Sequence, residues 1–456
     1  MNITKTMLAL VGAAVLATGA FAEGGPSITL NRVQQRYPWN GMVDIDYTVE
    51  NVDYPTNYFV QFSVTAQGTN YVMHEMLDAS TLINASNGAY RVTWVVSAEG
   101  VVFNDGVKIL AKDANVKAQL VYSGGDKSQV PYPFYTVIDI SEGPTAEHYP
   151  VTYEAFANTA AATNKYNTQE YKTDKIVLRK IPAGTFIMGS PEDEEGRNVD
   201  TAHNQETQHP VTLTEPYYIG MFPITQKQWE NVMATNPASF KPAEGEVDPT
   251  VLAEKAACPV EMVSYQMIRG DGVGINNTTA LSNGVVNATC GGAPAFLNTL
   301  RDKTGLTDLD LPTEAQWEFA ARAGTTTSTF FGNNVTTQPA SYLGKYMWYN
   351  GNADKTHGVG QVIPNQWGLY DTLGDIYEWC LDRVTRAPND DWGTDAVTDP
   401  LRAVAEGTAT GRGGVWHYSA DDARSACRIA FCWVSTVYPD FGFRLSRHSP
   451  IADLHK

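Results

Sequence analysis

The residues with the richest chemistry lie in NQWGLYDTLGDIYEWC, positions 365–380, where two Trp, two Tyr and three carboxylates surround two glycines and end on Cys380. Asp371 and Glu378 bracket Gly374. A bent loop around a glycine can turn two carboxylates and several main-chain carbonyls inward, the oxygen-rich set that a hard cation such as Ca²⁺ takes. The same residues also suit a turn-forming aspartate and a surface acid held by packed aromatics. The rest of the chain offers five cysteines, Cys258, Cys290, Cys380, Cys427 and Cys432, and eight histidines, none at the helical His-x3-His spacing of a metal pair. His203 and His209 are near each other in a loop next to an acidic run and read as solvent-facing, and His357 and His417 stand alone. There is no Gly-x-Ser-x-Gly elbow, phosphate loop or dinucleotide fingerprint.

These residues need a large scaffold, and a chain of 456 residues suggests two or three cores. A net charge of −18 with pI near 4.8 fits a self-repelling, soluble protein and argues against nucleic acid or an anionic membrane surface as partner. The densest acidic run, Ser190-Pro-Glu-Asp-Glu-Glu195, reads as a solvated loop. The one long apolar stretch, residues 7–17, follows Lys5 and ends in Ala20-Phe21-Ala22, the small-x-small form that a signal peptidase cleaves. Residues 1–22 are therefore expected to be a cleaved signal, with the mature chain exported to the periplasm or outside the cell. No later stretch is apolar enough to span a bilayer. All five cysteines lie in the second half, and an odd number leaves at least one thiol unpaired.

Between residues 27 and 140 the pattern has period two. Val43–Val49, Tyr58–Val64, Tyr90–Val96, Val116–Tyr122 and Phe134–Ile140 read as half-buried strands, so residues 23–140 are expected to form an all-β sandwich of about seven strands. Residues 141–175 carry no sustained apolar period and read as a linker. Beyond Ile176 come many short elements with abundant Gly and Trp, and two readable helices. TQKQWENVMA opens on Thr225; TEAQWEFAARAG has Thr313 as cap, Gln316 at the capping-box position and Gly324 as terminator. Both are expected to carry packing. The Gly/Asn-rich stretch from Cys258 to about Phe296 reads as an inserted surface loop, with a binding loop as the equal alternative.

GTFIMGSPEDE, HPVTLTEPYYIGMFPITQKQWENVM, LPTEAQWEFAARAGT, PNQWGLYDTLGDIYEW, GRGGVW and FGFRL follow one another in the order found in the sulfatase-modifying-factor, or formylglycine-generating-enzyme-like, family, which residues 176–447 resemble. Residues 448–456 remain as a tail. Bacterial relatives are often filed with the non-haem iron enzymes of ergothioneine synthesis. The resemblance implies a compact, irregular α+β fold related to C-type lectins. It also implies a structural calcium ion, with side-chain ligation by Asp371 and Glu378 and carbonyl ligation by Gly374 and Ile376. Asp375 stands where the family usually has Asn, and Trp367, Tyr370 and Trp379 would form the packed shell.

Active members of that family oxidise a sulfatase cysteine with Cu(I) held between two thiolates, the soft ligands that ion selects. The matching interval here, His417-Tyr-Ser-Ala-Asp-Asp-Ala423, contains no cysteine. Cys427 and Cys432 have the Cys-x4-Cys spacing but fall beyond it, so copper is not expected, and without a histidine cluster iron is not inferred. The chain is therefore expected to be an exported family member without the copper pair that acts as a peptide- or glycan-binding module, with Trp416 and Tyr418 lining its groove. The alternative is an oxidase of protein cysteine that works through Cys427 and Cys432 or through another site.

Overall fold

The computed structural model describes residues 5–7, 25–35, 42–66, 69–73, 76–77, 82, 84–95, 115–123, 134–156, 158–197, 206–270, 289–290, 292–332, 335–385, 393–402, 404 and 408–448. Nearly all of the expected signal and most of the Gly/Asn-rich insertion, residues 271–288, lie outside them. The chain divides into two compact units, one of residues 1–135 with 153–165, the other of residues 136–152 with 166–456.

In the first unit the alternation in Met42–Glu50 places Val43, Ile45, Tyr47 and Val49 inward. This strand pairs antiparallel with Ser27–Gln35 on one side and Gly88–Val95 on the other. Tyr58–Ala66 pairs with Asn115–Tyr122 and Thr69–Val72 in a separate sheet. Phe59, Phe62, Val64 and Leu120 join Ile45, Tyr47 and Trp94 in one core. Two antiparallel sheets surround this core, in which each buried large apolar side chain contributes about 1.5–3 kcal/mol, and the expected sandwich strand Phe134–Ile140 pairs in neither of them.

In the second unit one sheet runs through residues 136–139, Lys175–Ile181, Tyr217–Gly220, Ser446–His448 and Leu309–Asp310, in that order. Another orders Arg428–Cys432, Thr408–Arg412, Tyr377–Val384 and Phe441–Gly442. Gly184–Met188, His209–Leu213 and Val397–Thr398 form a third sheet, Thr289–Cys290 pairs with Ala293–Pro294, and short helices and loops make up the rest of a strand-rich α+β pattern. The helices Gln226–Met233 and Glu314–Arg322 both begin with complete capping boxes, at Thr225 with Gln228 and at Thr313 with Gln316. The second ends at Ala323 in the left-handed region, one residue before Gly324.

The expected linker and the boundary at residue 140 differ in the structure. Ile140 N–H donates to Asp174 O at 2.9 Å, buried Tyr149 donates its N–H to Lys303 O at 2.9 Å, and its hydroxyl donates to Asn231 O at 2.9 Å. Val151–Ala155 is a strand, followed by helices Thr159–Tyr166 and Glu170–Thr173. Elements of four to eight residues are too short to leave a sustained apolar period, although each contributes a buried side chain or a backbone bond. None of the five cysteines forms a disulfide. No helix among the described residues is long and apolar enough to cross a membrane.

Candidate functional site

The loop of residues 365–378 is bent by backbone in the left-handed region, with φ of 71° at Gly368, 54° at Asp371, 77° at Gly374 and 65° at Asp375. A Cβ on Gly374 would lie 2.1 Å from Trp348 O, so no other residue fits there. Buried Trp367 packs on Phe319, Tyr370 on Phe222 and Trp379 on Phe441, with centroids 5.2, 5.1 and 4.4 Å apart. The expected aromatic shell is thus in place around the bend.

Two of the oxygen sources expected to face a calcium ion, the Glu378 carboxylate and the Gly374 carbonyl, have other partners. Glu378, fully buried, accepts from Arg444 Nε at 2.6 Å on Oε2 and from Arg444 Nη2 at 2.6 Å on Oε1, and Trp317 Nε1 donates to Oε2 at 2.6 Å. The same guanidinium donates to Gly220 O at 3.0 Å, Tyr370 O at 3.0 Å and Asp371 O at 3.3 Å. Gly374 O accepts from Ile376 N at 2.9 Å. Asp371 Oδ2 accepts from Gly360 N at 2.7 Å and Asp375 Oδ1 from His357 N at 2.9 Å; the second oxygen of each is buried without a hydrogen-bond partner. Burial pushes the Asp371 carboxyl up to about 6 despite the Gly360 bond and Arg444. Burial, then the neighbouring Asp371 charge, pushes Asp375 well above the carboxylate range. Ca²⁺ needs six to eight oxygens, and no three His, Cys, Asp or Glu side chains converge on one point among the described residues. Glu378 and the Gly374 carbonyl are thus taken up within the protein, whereas Asp371 Oδ1 and Asp375 Oδ2 lie buried and unpartnered. The Arg444 guanidinium occupies the carboxylate and bridges it to the loop's carbonyls.

A second buried polar system surrounds the helix Glu314–Arg322. Arg412 donates to Glu314 at 3.0 Å and to Glu318 at 2.9 Å, Arg428 donates to both Glu314 oxygens at 2.9 and 2.6 Å, and Arg322 reaches Glu318 at 2.8 Å. Arg424 donates to both Glu206 oxygens at 2.8 and 2.9 Å and to Glu194 at 2.7 Å. Burial by itself would raise the Glu314 carboxyl, but Arg428 and Arg412 hold it below its ordinary value. Four guanidinia oppose four carboxylates, which leaves little uncompensated charge to recruit a ligand. The cavity among Gly189, Glu206, His209, Glu314, Glu318, Arg412 and Arg428 measures about 20 Å³, room for about one water. The charges at positions 314 and 318 went unnoticed in the sequence, where the helix reads as packing; two Glu four apart and an Arg beside Trp317 and Phe319 were the available signal.

Cys427 and Cys432 are both buried, and burial followed by the Glu206 charge pushes the Cys427 thiol far up. Arg428–Cys432 is an extended strand whose pairing with Thr408–Arg412 contains a bulge. At about 3.3 Å per residue, five steps with one bulge place the two cysteines roughly 13–16 Å apart, beyond the reach of a disulfide or a shared ion. The structure does not bring them together.

Trp416 is half-buried and Tyr418 exposed on the turn that follows Gly413-Gly414. Gly414 admits the turn of residues 420–423, since a Cβ there would sit 2.8 Å from Ala423 Cα. Trp416 N–H donates to Asp375 O at 3.1 Å, and Tyr418 O accepts from Asn350 N at 2.9 Å. Trp416 packs edge-on to Phe240 at 5.6 Å, and Tyr377 supports Tyr418 at 6.1 Å. His417 Nε2 lies 3.6 Å from Asp440 Oδ2, which joins this turn to residues 433–440. Tyr418 is 41 % exposed, Trp433 55 % and Val437 38 %, and Tyr438 between them is half-buried over Phe441. Trp433, Val437 and Tyr438 were not singled out in the sequence; the signal was an apolar run, Trp433-Val-Ser-Thr-Val-Tyr438, that continues neither strand nor helix.

Residues 160–449 match the family model described as the sulfatase-modifying factor enzyme 1-like domain. A protein from Paenibacillus barcinonensis described as chaperone protein LppX is 28% identical over 207 residues, covering 41% of this chain and 69% of that one. The bovine (Bos taurus) protein described as inactive Cα-formylglycine-generating enzyme 2 is 28% identical over 242 residues, 47% of this chain and 73% of that one. Among solved structures, Treponema denticola variable protein 1 is similar at 27% identity and a TM-score of 0.41, covering 60% of this chain and 96% of that chain.

Proposed function

This chain belongs to the sulfatase-modifying factor enzyme 1-like family, and from that premise we propose that it is a non-catalytic binding module that holds its ligand on the aromatic face of residues 416–440. The observation that carries this reading is the exposure of Tyr418, Trp433 and Val437 within twenty residues of one another, on loops anchored to the second unit's buried core. Large aromatics left in water on a rigid support offer contact area at low entropic cost, and contiguous exposed apolar surface marks interaction sites. The interval of residues 417–423 supplies no thiolate, and the two later thiols are buried and apart, which favours binding over oxidation. The bovine relative described as inactive is consistent with a family scaffold used without its chemistry.

We further propose that the chain is exported, with cleavage after Ala22; N-terminal sequencing of protein recovered outside the cytosol tests this, and intact Met1 in the cytosol would refute it. The binding reading is tested by displaying peptide and oligosaccharide arrays to the full chain and to Tyr418→Ala and Trp433→Ala. Ligands retained by the parent are expected to be lost from both variants. Ligands that bind all three proteins equally would place the binding surface elsewhere. A cysteine peptide incubated with Cu(I) and O₂ is expected to gain no aldehyde.

A further inference from the structure

We propose that the aromatic face selects a cationic segment, a stretch of protein bearing Lys or Arg, an inference that rests on the binding reading above and specifies its ligand. From Trp416 to Asp440 the charged side chains that reach solvent, apart from His417, are Asp421, Asp422 and Asp440. Both arginines in that interval point inward: Arg424 is held by Glu194 and Glu206, and Arg428 by Glu314. The face therefore presents aromatic rings bordered by carboxylates.

The acidic run of residues 190–195 extends that border. Arg424 draws Glu194 in at 2.7 Å, and Gly196 lies so close to the aspartates that a Cβ on it would sit 2.6 Å from Asp421 Cβ. Glu192 and Asp193 stay exposed beside them. Glu192, Asp193, Asp421 and Asp422 make no ion pair among the described residues. Asp422 accepts from the hydroxyl, at 3.0 Å, and the backbone of neighbouring Ser419, and Asp440 Oδ1 is buried with no donor. Lys241 is a nearby exposed cation, following Phe240, and its ammonium is turned back to Asn236 O at 3.2 Å.

Opposite charge within a Debye length and ring faces suited to cation–π contact favour the same ligand. Burial raises the carboxyls of Asp422 and Asp440 above their ordinary value, so an arriving cation would relieve an existing penalty. An anionic ligand would be repelled, and a neutral sugar could hydrogen-bond the carboxylates but would gain no charge complementarity.

The test uses the full chain and two fluorescein-labelled octapeptides, one alternating Arg or Lys with Gly, the other with Glu at each Arg or Lys position, read by fluorescence anisotropy. The cationic peptide is expected to bind about tenfold or more tighter at low salt and to weaken as salt rises. Asp421→Asn with Asp422→Asn, and separately Trp433→Ala, should each weaken it by about fivefold or more. Glu215→Gln with Glu254→Gln removes two exposed charges elsewhere and should leave it unchanged. Equal binding of both peptides, indifference to the aspartate pair, or an equal loss in the Glu215/Glu254 control would overturn the inference. An uncharged array ligand that is lost in Trp433→Ala but not in Asp421→Asn/Asp422→Asn would also overturn it while leaving the aromatic face as the binding surface.

Discussion

Arg444→Met tests whether the loop of residues 365–378 is held by a guanidinium or by a metal. In the parent, Arg444 neutralises Glu378 through two bonds of 2.6 Å and gathers the carbonyls of Gly220, Tyr370 and Asp371. Methionine fills much of the volume but leaves a fully buried carboxylate with only Trp317 Nε1 as donor. Removing one partner of a buried ion pair destabilises by about 3–5 kcal/mol. At about 2–4 °C per kcal/mol for a unit of this size, the thermal midpoint should fall by roughly 10 °C. Arg444→Lys keeps the charge but loses the fork, so an intermediate fall is expected. Circular dichroism melts of the parent and both variants, each with excess chelator and with millimolar Ca²⁺, provide the assay. The parent's midpoint should not move with chelator or calcium, because both Glu378 oxygens are already held by Arg444 and Trp317. A parent that melts lower in chelator, or an Arg444→Met protein that melts within about 2 °C of the parent, would refute the assignment.

Three further outcomes follow from the same geometry. Gly374→Ala should prevent normal folding of the second unit, since its Cβ would sit 2.1 Å from Trp348 O; soluble protein with the parental near-ultraviolet spectrum would contradict this. Thr313→Ala should lower stability by about 1 kcal/mol through loss of the helix cap, measured by urea unfolding. Asp382 accepts from Glu314 N at 2.7 Å and Arg402 N at 2.9 Å, yet burial and then the Glu314 charge push its carboxyl up to about 7. A raised carboxyl favours the folded state fully below the ordinary value near 3.8, and that contribution is lost as pH rises through 7. It amounts to about 4 kcal/mol at most. Asp382→Asn should therefore show a shallower loss of stability between pH 4.5 and 8 than the parent, and identical slopes would exclude Asp382 as the titrating group.

What could be read from the sequence follows the range of the forces involved. Val43-Asp-Ile-Asp-Tyr-Thr-Val49 has period two because a half-buried strand imposes it residue by residue, and Thr313 with Gln316 announces a helix start because the capping bonds span three residues. The partner of Glu378 was not legible: Arg444 lies 66 residues away, and only folding shows that a guanidinium stands where a cation was expected. Tyr149 failed as a signal for the same reason, since its contacts with Lys303 and Asn231 are long-range and the segment around it looks like linker composition. The aromatic face lies between these cases. Trp416 and Tyr418 stood out beside GRGGVW, whereas Trp433, Val437 and Tyr438 acquire meaning only when His417 meets Asp440 and brings the two loops together. The polar loop at residues 365–378 supports the proposed binding surface: Asp375 O receives Trp416 N–H and Tyr377 packs beside Tyr418. A loss of array binding in Arg444→Lys, under conditions where that variant remains folded, would connect the two directly.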